Sequence, residues 1–144
     1  LTASKGKDNN NLKGAMLASW VSQASFSPPG FSIAVSKDRA VESLLQKGDS
    51  FALNILGEKE LKEPLRRFTK PFAPGEDRFS GLELEKTPNG QLILSESLAW
   101  LDASVVDRME CGDHWVIYAE VKYGNVLKKD DLTAVHHRKS GSNY

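Results

Sequence analysis

Three clusters of side chains in this sequence are spaced for chemistry. The first is Ser36-Lys37-Asp38-Arg39, a hydroxyl and two cations between an alternating apolar stretch and a helical pattern. Free N–H groups and the macrodipole at such a junction favour an anion, and arginine can grip two phosphate oxygens at once. The second is a row of hydroxyls and an amide, Ser19, Ser22, Gln23 and Ser25, threaded through Trp20, Val21 and Ala24 and closed by Pro28-Pro29-Gly30. Rigid elements presenting such groups suit a flat ligand with polar edges. The third is Gly112-Asp113-His114, directly ahead of a strand pattern, where a histidine can donate to a ligand or shuttle protons. Each cluster also has a plainer explanation: a solvated turn, a hairpin with wetted serines, a satisfied surface histidine. Asn54, alone inside the apolar run Phe51 to Leu56, needs a partner if buried, either backbone or ligand.

Other chemistry is excluded by spacing. There is no Gly-x-x-x-x-Gly-Lys-Ser/Thr and no Gly-x-Gly-x-x-Gly, so neither a P-loop nor a dinucleotide fingerprint is supported. Asp113 and His114 are adjacent, and adjacent residues of an extended strand point to opposite faces, so no dyad is expected. His136 and His137 diverge for the same reason, and with Cys111 and His114 they form no zinc pattern; no metal site is expected. Cys111, the single cysteine, can form no internal disulfide and lacks a base to activate it.

The elements that must position these clusters are mostly strands. Gly14 to Phe26 and Phe31 to Val35 read as two strands joined at Pro28-Pro29-Gly30, with Gly30 available for φ > 0. Asp38 stands where a helix N-cap belongs, Ala40 to Lys47 carries an amphipathic stripe, and Gly48 suits the C-terminal cap. Phe51 to Leu56 is a third strand. Glu58 to Phe68 reads as a charged helix divided by Pro64, followed by a long loop from Lys70 to Gly81. Strands then recur at Leu82 to Lys86, Gln91 to Leu94, Leu98 to Met109 and His114 to Tyr123, with Pro88-Asn89-Gly90 as a turn. Six or seven short strands with one or two short helices favour a barrel, because closure removes exposed edges.

At 144 residues the chain is expected to be one domain with a real core. Lysine plus arginine equals aspartate plus glutamate at 19 each, which argues against bulk electrostatic binding of nucleic acid. No apolar run approaches the about 18 residues of a membrane span. No signal peptide is visible, and a reducing, cytoplasmic setting fits the lone thiol. The opening Leu1-Thr2-Ala3, without methionine, reads as a piece cut from a longer polypeptide.

Taken together, Ala18-Ser-Trp-Val-Ser-Gln-Ala-Ser-Phe-Ser-Pro-Pro29, Ser32 to Arg39, Phe51 to Leu56, and Gly112-Asp113-His114 before Glu120-Val121 resemble the flavin reductase-like domain. The longer wording around Ala15-Met16-Leu17 and Arg39-Ala-Val-Glu-Ser-Leu-Leu45 is similar to the version fused to cyanobacterial flavodiiron proteins. The resemblance covers nearly the whole chain. It implies a mainly β, FMN-binding split barrel of Greek-key type and an NAD(P)H-dependent flavin reductase. Ser19, Trp20, Val21, Ser22, Gln23, Ser25 and Pro28 would line the FMN ring and ribityl chain. Ser36, Lys37 and Arg39 would hold its phosphate, Asn54 would lie near the flavin, and His114 would face the nicotinamide. It further implies a homodimer, and electron delivery to diiron and flavodoxin-like domains of a dioxygen-reducing parent. The alternative is a non-catalytic flavin-binding or dimerisation module.

Overall fold

The computed structural model describes residues 1–6 and 12–135. The chain forms nine strands among these residues: β1 (Thr2–Lys5), β2 (Leu12–Ala15), β3 (Val21–Phe26), β4 (Pro29–Ser36), β5 (Ser50–Ile55), β6 (Leu84–Lys86), β7 (Leu92–Leu94), β8 (Ala99–Cys111) and β9 (His114–Val126). Seven of them make one sheet in the order β2-β1-β5-β8-β9-β4-β3, and β6 and β7 form a separate hairpin. Every pair of neighbouring strands among the described residues runs antiparallel. The fold is mainly β, as the spacing of short strands implies.

Alternation explains which face is buried. In β4, Phe31, Ile33 and Val35 are buried while Ser32, Ala34 and Ser36 lie on the outer face. Ile33 sits opposite Ile117 and Phe31 opposite Ala119, so the same face continues onto β9. Phe51 of β5 and Ala103 and Val105 of β8 close the core, with Phe31 and Phe51 meeting edge to face at 5.8 Å. A second apolar cluster of Phe68, Phe72, Phe79, Leu92 and Leu94 lies beneath the Lys70 to Gly81 loop. That loop covers a core of its own, which accounts for its length.

Several expectations are corrected. The expected strand Gly14 to Phe26 is broken: β2 ends at Ala15, residues 16–20 form a connector, and β3 starts at Val21. Beta pairing cannot continue because β2 and β3 sit at opposite edges of the sheet, and the connector must cross between them. The turn falls on Ser27-Pro28, and Pro29 and Gly30 already belong to β4. Gly30 is instead a close-packing position, where an added Cβ would lie 2.7 Å from the Tyr118 hydroxyl. Asp38 caps nothing. The helix is a 3-10 turn over Ala40–Leu44 preceded by Arg39, with no side-chain cap. Pro64 does not divide a helix; it occupies the first turn of α1 (Lys62–Phe68), where its missing N–H costs no bond. The tail histidines, His136 and His137, lie outside the described residues. No helix among the described residues is long and apolar enough to cross a membrane.

Candidate functional site

The break between β2 and β3 defines the site. The sheet is not hydrogen-bonded across its two edges, and the 16–20 connector spans the gap. Met16 is tied to Leu1 by reciprocal backbone bonds of 2.9 and 3.0 Å, and the Ala34 N–H donates to Trp20 O at 3.0 Å. The connector is thus anchored at both ends. A cavity opens on each side of it, and Leu17, Ser19 and Arg39 line both.

The first cavity, about 420 Å³, is polar, with Ser19, Trp20, Ser36, Arg39 and His114 in its walls. Its charge is mixed, since Asp38 and Asp113 line it as well. The second, about 580 Å³, is mostly apolar, walled by Leu53, Ile55, Leu56, Leu61 and Leu65 and by Val21. Its far wall is the segment Thr133 to Val135, held by the Ala134 N–H donating to Leu56 O at 2.8 Å.

Arg39 joins the two halves. Its Nη1 donates to the carbonyl of Thr69 at 2.7 Å, at the C-terminal end of α1, where unsatisfied carbonyls and the helix dipole attract a cation. The guanidinium is therefore pre-positioned by an element far away in sequence. Lys37 behaves differently. Its ammonium pairs with Glu110 and lies 5.5 Å from the Trp115 ring centroid, and it lines neither cavity. That ion pair holds the Glu110 carboxyl below its ordinary range.

Sheet register sorts the other predicted residues. Ser36 lies opposite His114, Ser32 opposite both Tyr118 and Ser22, and Gly30 opposite Ser25 and Glu120. Residues paired in this way share a face, so Ser22 and Ser25 continue outward along the face that bears Ser36 and His114. An irregularity between Gln23 and Ser25 re-aims Ser25. Val21 and Gln23 pair with inward-facing Ile33 and Phe31 and turn the other way. Ser22, Gln23, Ser25 and Pro28 reach neither cavity; they stand on or beside an exposed edge strand.

Asn54 lines the apolar cavity, yet its amide is committed elsewhere. Nδ2 donates to Thr2 Oγ1 at 3.1 Å, and Oδ1 accepts from the Leu94 N–H at 2.9 Å and from Ser97 Oγ at 3.4 Å. Its polar group pins β7 onto the sheet. The expectation that Asp113 and His114 diverge is also corrected: Asp113 Oδ1 lies 2.8 Å from His114 Nδ1. Asp113 sits in the Gly112–Asp113 turn rather than in a strand, and Gly112, at φ 56°, bends the chain there. The bond to His114 holds the Asp113 carboxyl below its usual range. Trp20 covers the same imidazole, ring centroids 5.1 Å apart.

Sequence spacing missed Leu17, Thr69, Pro71 and the 133–135 segment as wall residues. Thr69 acts through a backbone carbonyl, which carries no side-chain signal. Among the described residues no group of three His, Cys, Asp or Glu is placed to hold a metal.

Residues 1–142 match the family model described as the flavin reductase like domain. The chain belongs to that family. This flavin reductase-like domain is 55% identical over 144 residues to diflavin flavoprotein A 1 of a Synechocystis species, and covers 24% of that protein. It thus spans about a quarter of the length of the curated relatives it matches. Among solved structures, the NADH:FAD oxidoreductase of Streptomyces globisporus superposes with a TM-score of 0.76 at 23% identity, over 92% of this chain and 77% of that one. The FMN-binding protein of Thermus thermophilus gives 0.71 at 16% identity, over 90% and 70%. The last two show a shared fold, that of the flavin reductase and FMN-binding split barrels.

Proposed function

We propose that this domain binds FMN across the connector and reduces it with NADH or NADPH, and that in its longer parent the electrons pass on to diiron and flavodoxin-like domains. The carrying observation is the pair of cavities sharing Leu17, Ser19 and Arg39, one apolar and one polar. The donor set fits a flat ring with an anionic tail. The leucine-lined half would receive the ring, Ser19 would bond its polar edge, and Ser36 and Arg39 would meet the phosphate. When bound, the flavin supplies the redox chemistry, accepting hydride from the nicotinamide. The chain's own contribution is to bind, orient and desolvate, with His114 and Trp20 forming the wall that faces the second nucleotide. Lys37 would act on the phosphate only after leaving Glu110. Titrating the purified domain with FMN and following NAD(P)H oxidation tests this reading. No flavin-dependent oxidation, with FMN bound, would leave a non-catalytic flavin-binding module.

A homodimer belongs to the same proposal. β3 is an edge strand whose Phe26 is 86% exposed, and Ser22, Gln23 and Ser25 stand beside it. A second copy covering that edge would bring them to a ligand at the boundary. Phe26→Glu is expected to turn a dimer into a monomer in sedimentation velocity and to weaken FMN binding with it. A Phe26→Glu protein that stays dimeric removes β3 from the interface.

A further inference from the structure

The β6–β7 hairpin is no part of the seven-stranded sheet, yet polar bonds tie it down along its length. Thr2 Oγ1 donates to Leu92 O at 2.6 Å, the Ser4 N–H to Gln91 Oε1 at 2.8 Å, and the Leu94 N–H to Asn54 Oδ1 at 2.9 Å. The tip is held by one residue of β8. Asn89 donates to the Asp102 carboxyl from its backbone N–H at 3.4 Å and from Nδ2 at 3.2 Å. Asp102 is fully buried, and among the described residues Asn89 is its hydrogen-bond partner.

Gly90 follows Asn89, and an asparagine before a glycine is chemically labile. The backbone nitrogen after the asparagine, once deprotonated, can attack the side-chain carbonyl carbon. A new C–N bond closes a succinimide, the bond to Nδ2 breaks, and the amide leaves as ammonia after taking up a proton. Water then opens the ring to aspartate, or to isoaspartate, whose main chain runs through the side-chain carbon. No side chain shields the Gly90 nitrogen, and an added Cβ there would meet nothing within 4 Å. Asn89 is exposed, so water reaches it. The fold nonetheless holds back both reacting groups. The Gly90 N–H donates to Thr87 O at 2.8 Å, and the amide that must leave is held by Asp102. Reaction requires the tip to open first.

We propose that Asn89 is a site of spontaneous deamidation, that Asp102 holds it in check, and that the product releases the hairpin. An aspartate at this position has no side-chain N–H to donate, and its charge faces the carboxyl group of Asp102. The buried acceptor is left without that partner, a heavier loss than the bond alone. Isoaspartate adds one main-chain carbon to a turn already fixed by the Gly90-to-Thr87 and Thr87-to-Gln91 backbone bonds.

Incubating the purified domain in mildly alkaline buffer tests the site, read as the mass gain of an amide turned acid on the peptide that holds Asn89. The folded chain is expected to react there at least about tenfold more slowly than the chain unfolded in urea, the scale of one charge-assisted bond. Asp102→Ala should close most of that gap, and Asp102→Asn, which keeps one acceptor oxygen, part of it. Equal rates in the folded and unfolded chains, or no acceleration in whichever Asp102 variant folds, overturns the check. Hydrogen exchange on Asn89→Asp, which imitates the product, reads the release. The Ser4, Gln91 and Leu94 amides should exchange about tenfold faster than in the native domain, while those of β4 and β9 keep their protection. Combining Asn89→Asp with Asp102→Asn gives the carboxylate an N–H donor again and should restore the slow exchange. Native exchange in Asn89→Asp, or a double variant as fast as the single one, overturns the release.

Discussion

Arg39 and Lys37 stand two positions apart and look equivalent in the sequence, yet they occupy different places in the fold. Arg39 is drawn to the Thr69 carbonyl at the seam of both cavities, whereas Lys37 is drawn to Glu110 and Trp115. Arg39→Ala is therefore expected to weaken FMN binding about 10- to 100-fold, the range for a charge-assisted bond, as read by flavin fluorescence titration. Lys37→Ala should change it by less than about threefold, because releasing Glu110 offsets what the ammonium could supply. Equal losses from the two substitutions would overturn that distinction. Asn54 gives the complementary case. A lone amide in an apolar strand signalled a buried partner, and that much was legible; which partner was not, because Thr2 and Leu94 are 52 and 40 residues away. Asn54→Leu strands the Leu94 N–H and should cost about 1–3 kcal/mol in denaturant unfolding. A stability loss well below that range would mean that the amide is not holding β7.

At the scale of elements, alternation and turn chemistry carried most of the strand assignment, since each strand needs only its own residues to show a buried face. β4 follows the pattern closely, as Phe31, Ile33 and Val35 against Ser32, Ala34 and Ser36 illustrate, whereas irregularities in the β8–β9 pairing put Asp102 and Ala103 of β8 side by side in the buried set. The connector at residues 16–20 was not legible. Leu17 to Trp20 is as extended-looking as β3, and only the sheet order, with β2 and β3 on opposite edges, forces a crossing there. The Asp38 cap misled for a related reason. The chain enters the 3-10 turn at Arg39, which tertiary contacts with Thr69 hold in extended backbone. Gly30 was read as a turn glycine but serves packing. Gly30→Ala would drive a methyl against the Tyr118 ring, at 2.7 to 3.0 Å from three of its atoms, and should cost about 1–3 kcal/mol. Pairing it with Tyr118→Ala should recover much of that loss in denaturant melts. A double variant no better than the additive sum would place the strain elsewhere, for instance in the β3–β4 hairpin.

Over the whole molecule, the exposed ion pairs add a modest pH dependence to stability. Glu63 is lowered by Arg66 and Arg67, Glu110 by Lys37, Asp113 by His114 and Asp131 by Lys59. A carboxyl whose folded-state pKa lies below its unfolded value contributes stability above the unfolded value and loses it as pH falls through the folded one. Lys59, Lys128 and Arg66 are raised, so their contribution is present below their unfolded values and is lost only as pH rises through the folded ones. Thermal melts should fall once the pH drops below about 4, where these carboxyls become protonated. Asp131 is the group to remove, because its partner Lys59 lies beside Glu58, whose N–H donates to Leu132 O at 3.2 Å where the apolar cavity's far wall begins. Asp131→Asn should melt lower than the native chain at pH 7, and the gap should close as pH falls through the depressed Asp131 value, since the native carboxyl is then protonated too. A gap that persists at pH 2 to 3 would mean that Asp131 acts through packing and not through its charge.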